Sequence, residues 1–385
     1  MRIDNRRVLG VCLAASLLCA LVVAAAQTPT PATASTSATA TPSSPGEEVG
    51  SLRNARVALP MANERLPVTF FVQEFTAAEI DELKSLAPNV RVVSGLSREQ
   101  VLERADEARA VDAYYLSPEL ITRAKNLVWV QAMSAGVDRY VGIAGLAKSP
   151  SIVLTNLRGV HGPAIADHAF GMLLTLTRDL RHYAAQQDKA VWKRDGSGAP
   201  RIALQGRTML VVGLGGIGTE IAQRAHGFGM RVIATRRGDD PAPDYVSRVG
   251  HSADLLAMLP EADVVAISVP LTAETQGMFN AKAFAAMKPG AYLINIARGK
   301  VVDSTALISA LQSKRLAGAC LDVTDPEPLP ADSPLWRMPN VLITPHTSAE
   351  ADLTNDRVWG LLRENVRRFG AGEPLLNVVD VTVGY

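Results

Sequence analysis

The sequence predicts an α/β protein built on two parallel sheets covered by helices, the second of them doubly wound. Three observations carry this expectation. From Val68 onward, short apolar β-type runs alternate with helix-type segments, the pattern of parallel strands packed under helices. Residues 211–218 read VVGLGGIG, between the apolar run Thr208–Val212 and a helix-like run at 217–228. The later β-type runs end in polar residues, around Asn295, Asp322 and His346.

Gly-x-Gly-x-x-Gly after a buried strand and at the opening of a helix is the dinucleotide-binding fingerprint. Gly213 allows the tight turn, Gly215 lets the backbone approach a pyrophosphate, and Gly218 lets the helix pack closely on the strand. The helix N-terminus attracts the phosphate charge. The bare alternative is a βα turn that holds no ligand. A following strand run at Arg231–Thr235, in the order a βαβ unit requires, weighs against it.

In the first lobe, β-type runs fall at Val68–Val72, 90–93, Ala113–Tyr115, 128–131 and 152–154, with helices expected at Ala77–Leu86 and 98–108. No glycine fingerprint follows the first run, so this lobe reads as the substrate lobe. The loop Met133-Ser134-Ala135-Gly136-Val137-Asp138 comes directly after the run 128–131. Small residues there expose backbone N–H groups at the carboxyl end of a parallel strand, where open α/β sheets bind ligands, and such groups suit an anion. An ordinary strand-to-helix turn is the equal alternative. A long helix is expected at 163–180. His161, His168 and His182 stand seven and fourteen residues apart, not the three or four a helical metal site needs, so no metal is expected.

The second lobe follows with strands at Thr208–Val212, Arg231–Thr235, 264–269, 291–296, 318–322 and 341–344, and helices at 252–259, 281–287 and 304–313. A long amphipathic helix at 352–369 follows the last strand and returns to the first lobe. With 385 residues the chain holds two domains, and a net charge of +1 gives no basic field for nucleic acid or an anionic membrane.

The first residues stand outside the fold. Arg2, Arg6 and Arg7 precede an uncharged, mainly apolar run of 16 residues at 8–23, and Ala24-Ala25-Ala26 follows. That is the layout of a secretory signal, and the run is short for a membrane span, so export to the periplasm with no membrane attachment after cleavage is expected over an uncleaved membrane anchor. Residues 27–46, rich in Pro, Thr, Ala and Ser without charge, read as a flexible tether. Cys12 and Cys19 lie in the signal, leaving Cys320 alone in the mature chain as a buried packing residue. The chain thus divides into a signal segment 1–26, a linker 27–50, a substrate lobe of 51–157 and 350–385, and a nucleotide lobe 158–349.

An NAD-type site takes the ribose hydroxyls with an acidic residue about twenty positions past the fingerprint. Here Arg236 and Arg237 occupy that slot, and the first carboxylates are Asp239 and Asp240. A guanidinium binds a 2′-phosphate that a carboxylate would repel, so NADP(H) is expected over NAD(H), which stays possible if Asp239 folds back to the ribose. Arg298, Glu327 and His346 make a coherent set for reducing an anionic 2-oxo acid. Arginine binds carboxylate and polarises a carbonyl, and histidine gives or takes a proton near neutral pH.

From about Val68 to Asn377 the chain resembles the D-isomer-specific 2-hydroxyacid dehydrogenases, including the glyoxylate/hydroxypyruvate reductases. The matching segments are QAMSAGVD, LVVGLGGIG, SVPLTAET, MKPGAYLINIARG, VVDSTALISAL, LAGACLDVTDPEPLP and SPLWRMPNVLITPH. The resemblance implies a Rossmann nucleotide domain inserted in a flavodoxin-like α/β substrate domain. It implies that Arg298 binds substrate, Glu327 supports the catalytic base and His346 is the acid/base. Ser134, Ala135, Gly136 and Val137 would hold the substrate carboxylate. Gly216, Ile217, Pro270, Thr275 and Ala297 would join the fingerprint glycines and arginines around the cofactor, with Asp322 at the nicotinamide end. Members are typically homodimers through the region 163–180 and neighbouring arms.

The arginine pair and the export signal depart from the common pattern of that family, whose members mostly work in the cytosol. The implied activity is hydride transfer between NADP(H), or NAD(H), and a small D-2-hydroxy or 2-oxo acid. Two alternatives stand beside it: a non-catalytic cofactor-binding sensor or scaffold, and a family member using another donor such as formate or phosphite.

Overall fold

The computed structural model describes residues 67–385; the expected signal segment 1–26, the linker 27–50 and residues 51–66 of the expected substrate lobe lie outside the described residues. Five parallel strands, β1 (Val68–Val72), β2 (Val90–Ser94), β3 (Ala108–Asp112), β4 (Trp129–Gln131) and β5 (Val153–Thr155), form a sheet of order β2-β1-β3-β4-β5. This is the flavodoxin-like order.

Seven more strands form a second parallel sheet: β6 (Thr208–Val212), β7 (Arg231–Thr235), β8 (Val246–Gly250), β9 (Val264–Ile267), β10 (Ala291–Asn295), β11 (Leu316–Leu321) and β12 (Val341–Ile343). Its order, β12-β11-β10-β9-β6-β7-β8, is the dinucleotide-binding arrangement extended by one strand, with the reversal of winding between β6 and β9.

Three expectations are corrected. Ala113–Tyr115 is a 3-10 turn, and the strand is Ala108–Asp112 just before it. The Asp112 carboxylate accepts from the Tyr114 N–H at 2.8 Å and ends the strand there. Its apolar signal is faint because alanines fill the inward positions: Phe70 and Trp129, on the strands either side, stack at 4.9 Å. The run 98–108 holds only a short helix, Arg98–Glu103, and a 3-10 turn. The helix expected at 163–180 ends earlier: Gly162–Thr177 stops, Asp179 takes a left-handed φ of 58°, and Leu180–Gln187 starts afresh. Strand β8 gave little signal because it is an edge strand with Ser247 and Arg248 exposed.

The long helix Asp352–Ala371 turns its apolar stripe onto the five-stranded sheet. Leu362, Val366 and Phe369 are buried with Val68, Phe70 and Trp129, and the Phe369 and Trp129 rings lie 4.9 Å apart. Gly372, at φ 67°, closes the helix in the left-handed conformation glycine tolerates best. The chain therefore passes between the sheets twice, before the helix Gly162–Thr177 and before the helix Asp352–Ala371.

Candidate functional site

The fingerprint turn is fixed by contacts that only glycine permits. Gly213 sits at φ 103°, and a Cβ on Gly218 would stand 2.0 Å from the Gly213 carbonyl oxygen. The helix Gly216–Gly227 can start against β6 only because both lack side chains. Around Gly215 a Cβ would meet nothing within 4 Å among the described residues, so the backbone there faces open space at the helix N-terminus. That combination fits a pyrophosphate. Gly216 packs on Gly159 where the chain enters this lobe, a Cβ reaching its Cα at 3.0 Å, and Ile217 lies partly buried against the core.

At the end of β7, Arg236 carries a buried Nε without a hydrogen-bond partner among the described residues, and the Arg237 guanidinium lies over the Tyr385 ring, 4.2 Å from its centroid. The Asp239 side chain is 91% exposed and stands 3.5 Å from His251. After β9, Thr275 Oγ1 donates to the Pro270 carbonyl at 2.6 Å and accepts from the Thr272 N–H at 2.8 Å, folding this loop into a tight turn. Ser268 Oγ donates to the Gly213 carbonyl at 2.8 Å and ties the loop to the fingerprint.

The loop after β4 meets Arg298 from the other lobe. Arg298 Nε donates to Asp138 Oδ1 at 3.1 Å and Nη1 to the Ala297 carbonyl at 2.8 Å. A Cβ on Gly136 would lie 1.7 Å from Arg298 Nη2, so the guanidinium is seated on the loop because that residue is glycine. The Ser134 carbonyl accepts from the Leu157 N–H, Ala135 from Asn156 Nδ2 and Gly136 from Ser134 Oγ, at 3.0, 2.8 and 2.7 Å. In a trans peptide the N–H points opposite the carbonyl, so the amides of Ala135, Gly136 and Val137 turn away from these partners. They can bind an anion beside Arg298.

Strands β10, β11 and β12 are neighbours in the sheet, so Arg298, Asp322 and His346 emerge from adjacent strand ends. Gly299 sits so close to Thr324 that a Cβ would reach its carbonyl oxygen at 1.9 Å, which presses the Arg298 turn against the loop carrying Glu327. His346 Nδ1 and Glu327 Oε1 are 2.6 Å apart, and the His346 backbone, at φ 55°, donates its N–H to the Asp322 carbonyl at 2.8 Å.

The Asp322 carboxylate is buried and organises this loop. It accepts from Thr344 Oγ1 at 2.6 Å and from the Thr347 and Ser348 N–H groups at 3.0 and 3.2 Å. Burial alone would raise this carboxyl, but the donors of Ser348, Thr344 and Thr347 outweigh it and hold it below the usual carboxylate range. His168 Nε2 reaches Thr344 Oγ1 at 2.9 Å, so this histidine braces the loop of His346. Cys320 is buried in the core and burial pushes its thiol up, as a packing residue requires.

Sequence reasoning missed several contributors. Asp138 anchors Arg298; Thr344, Thr347, Ser348 and His168 hold the His346 loop; Tyr385 holds Arg237. Thr344 and Asp138 lie inside quoted motifs, whereas nothing in the sequence marks Tyr385. A cavity of about 400 Å³ at the carboxyl edge of the five-stranded sheet shares Ser134 with the anion loop, and its lining includes Glu74, Phe75, Asp112, Tyr114, Met133 and Arg139. Burial raises the Asp112 carboxyl, against the Tyr114 N–H bond.

Residues 170–348 match the family described as D-isomer specific 2-hydroxyacid dehydrogenase, NAD binding domain. A glyoxylate reductase of Korarchaeum cryptofilum is 33% identical over 320 residues, covering 79% of this chain and 90% of that protein. A D-3-phosphoglycerate dehydrogenase of Mycobacterium leprae is 33% identical over 83% of this chain but only 60% of its own length. The crystal structure of a D-isomer specific 2-hydroxyacid dehydrogenase from Xanthobacter autotrophicus, in complex with NADPH and MES, superimposes with a TM-score of 0.68 at 31% identity, over 83% of this chain and all of that one. With the fingerprint turn, the sheet order and these relatives in agreement, the chain belongs to the D-isomer-specific 2-hydroxyacid dehydrogenase family and is an NAD(P)-dependent oxidoreductase.

Proposed function

We propose that this enzyme interconverts a small 2-oxo acid and its D-2-hydroxy acid in the cleft between its substrate lobe (51–157 and 350–385) and nucleotide lobe (158–349), with NADP(H) preferred and His346 as acid/base. The seat of Arg298 on Gly136 is the observation that carries the reading, since it puts a permanent cation beside an anion-binding loop of the opposite lobe. When bound, the reduced cofactor supplies a hydride to C2. Arg298 and the N–H groups of Ala135, Gly136 and Val137 hold the substrate carboxylate, and the guanidinium polarises the adjacent carbonyl. His346 keeps Nδ1 on Glu327, so Nε2 delivers the proton to the carbonyl oxygen as it becomes an alcohol, and Glu327 compensates the charge on the ring.

The preference for NADP(H) rests on Arg236 and Arg237 just past the end of β7, with the first carboxylate after them, Asp239, set beside His251. On the substrate side, Glu74 and Asp112 line the cavity beside the loop. With these two carboxyl groups set against the single Arg139 guanidinium of the lining, the cavity opposes a phosphate, which favours glyoxylate or hydroxypyruvate over a phosphorylated acid. A second copy of the chain is the partner expected to cover residues 180–192, where Leu180 and Trp192 are 49% and 96% exposed. Export remains part of the reading, on the leader at 1–26.

The deciding assay follows NADPH and NADH absorbance with glyoxylate, hydroxypyruvate, pyruvate, phenylpyruvate and phosphohydroxypyruvate. Faster oxidation of NADPH with the unphosphorylated short acids is expected. Faster oxidation of NADH removes the arginine argument, a preference for the phosphorylated acid removes the argument from Glu74 and Asp112, and cofactor binding without turnover leaves a binding module. Light scattering of the purified protein tests the dimer.

A further inference from the structure

Beyond the long helix, the chain returns to the five-stranded sheet and then leaves it again. Thr155 and Val378 form an antiparallel bridge, the Val379 N–H donates to the Leu154 carbonyl at 2.8 Å, and Asn377 Nδ2 donates to the carbonyls of Asn156 and Arg158 at 3.2 and 2.9 Å. A turn then closes on Asp380. Its carboxylate accepts from Thr382 N–H and Oγ1 at 2.9 and 2.6 Å, its carbonyl from the Gly384 N–H at 2.9 Å, and its own N–H donates to the Tyr385 carbonyl at 3.2 Å. The turn delivers Tyr385 to the opposite lobe, where the Arg237 guanidinium carbon stands over its ring, 4.2 Å from the centroid. Gly384 stands at the same junction, where a Cβ would touch Thr272 of the β9 loop at 3.9 Å and Val141 of the five-stranded lobe at 4.0 Å.

The way Tyr385 holds Arg237 matters chemically. A ring under the face of a guanidinium attracts it through the π quadrupole and leaves the in-plane N–H donors unused. Those donors are what a bidentate phosphate contact needs. Glu274 and Asp380 both feel the charge of Arg237, and an ion pair with either would consume the same donors.

We propose that Tyr385 is a positioning residue for cofactor selection: a ring supplied by the substrate lobe's final segment, it keeps the Arg237 N–H fork open for the 2′-phosphate of NADP(H). The proposal rests on the reading that this enzyme prefers NADP(H). It makes part of the 2′-phosphate site the property of the opposite lobe, so cofactor choice depends on how the lobes are seated.

The test measures dissociation constants of NADPH and NADH for the full chain and for Tyr385→Ala, Tyr385→Leu, Tyr385→Phe and Arg237→Ala, each checked by thermal melting. Removing the ring should weaken NADPH about three- to tenfold with NADH unchanged, the loss that one cation–π contact corresponds to. Tyr385→Phe should bind like the parent. Tyr385→Leu keeps apolar bulk without a ring and should behave like Tyr385→Ala, which guards against a variant that fails to fold. An Arg237→Ala variant that loses the NADPH preference while Tyr385→Ala and Tyr385→Leu keep it overturns the role of Tyr385 and leaves the NADP(H) reading standing. Equal weakening of both nucleotides makes Tyr385 merely structural and also overturns the proposal. A parent enzyme with no preference for NADPH overturns the cofactor reading and this proposal with it.

Discussion

The carboxyl edge of the seven-stranded sheet has two halves held by different means. Around β6, the fingerprint turn is set by backbone meeting backbone, with Gly218 against the Gly213 carbonyl. Around β10 to β12, the turns are set by side chains: Arg298 on Gly136 and Asp138, His346 on Glu327, and a buried Asp322 holding Thr344, Thr347 and Ser348. The first half binds a ligand shared by many enzymes and needs only space and N–H groups. On the proposed reading the second half performs the chemistry, and a loop from the other lobe meets it at Arg298. Stability should therefore concentrate in the first half and turnover in the second.

The largest test of that contrast is His346→Ala against Arg298→Ala. Loss of the acid/base should lower kcat/KM about 10²- to 10⁴-fold with the NADPH dissociation constant nearly unchanged. Arg298→Ala should fall comparably and raise KM for the acid as well. Full activity in either variant, by the same absorbance assay, would end the assignment of roles.

The fingerprint half should break differently. Gly218→Ala drives a methyl to 2.0 Å from a backbone oxygen that cannot move aside, so a loss of about 1–3 kcal/mol in denaturant unfolding is expected. Gly215→Ala meets open space, so its melting temperature should stay within a degree or two of the parent while cofactor affinity falls. Equal stability losses at the two glycines would contradict the division.

This difference also explains what could be read in advance. Glycine spacing after an apolar run is a one-dimensional record of a backbone turn, so Gly213, Gly215 and Gly218 could be given separate jobs before any fold was known. Arg298 and the loop of Ser134 were each legible as chemistry-bearing residues, but their meeting is a contact across 160 residues of chain that no local pattern encodes. Strand β3 escaped because alanine carries little β signal, although between Phe70 and Trp129 only a small residue fits. Tyr385 escaped for the same reason as Asp138: its significance lies in the side chain it touches.

A smaller effect sharpens the seat of Arg298. A methyl on Gly136 would collide with the far end of a flexible side chain and not with backbone, so Gly136→Ala should fold normally. The displaced guanidinium should raise KM for glyoxylate about tenfold with little change in NADPH affinity. Unaltered KM would mean that the guanidinium works from another position.

The smallest expected effect concerns acid. The fingerprint turn rests on glycine backbone and a serine hydroxyl and has no proton to gain, whereas the His346 loop hangs on one buried carboxylate. Asp322 has its folded-state value lowered relative to the unfolded chain. Its stabilisation is therefore present above the unfolded value of about 4 and lost as the pH falls through the folded value. Asp322→Asn keeps the shape of the group and gives up its charge. The difference in melting temperature between parent and variant should be full at pH 7 and shrink below about pH 4, as the parent loses what the variant never had. A difference that stays constant from pH 7 to pH 3 would show that the loop depends on the packing of residue 322 and not on its charge, and the contrast between the two halves of the edge would then be one of shape alone.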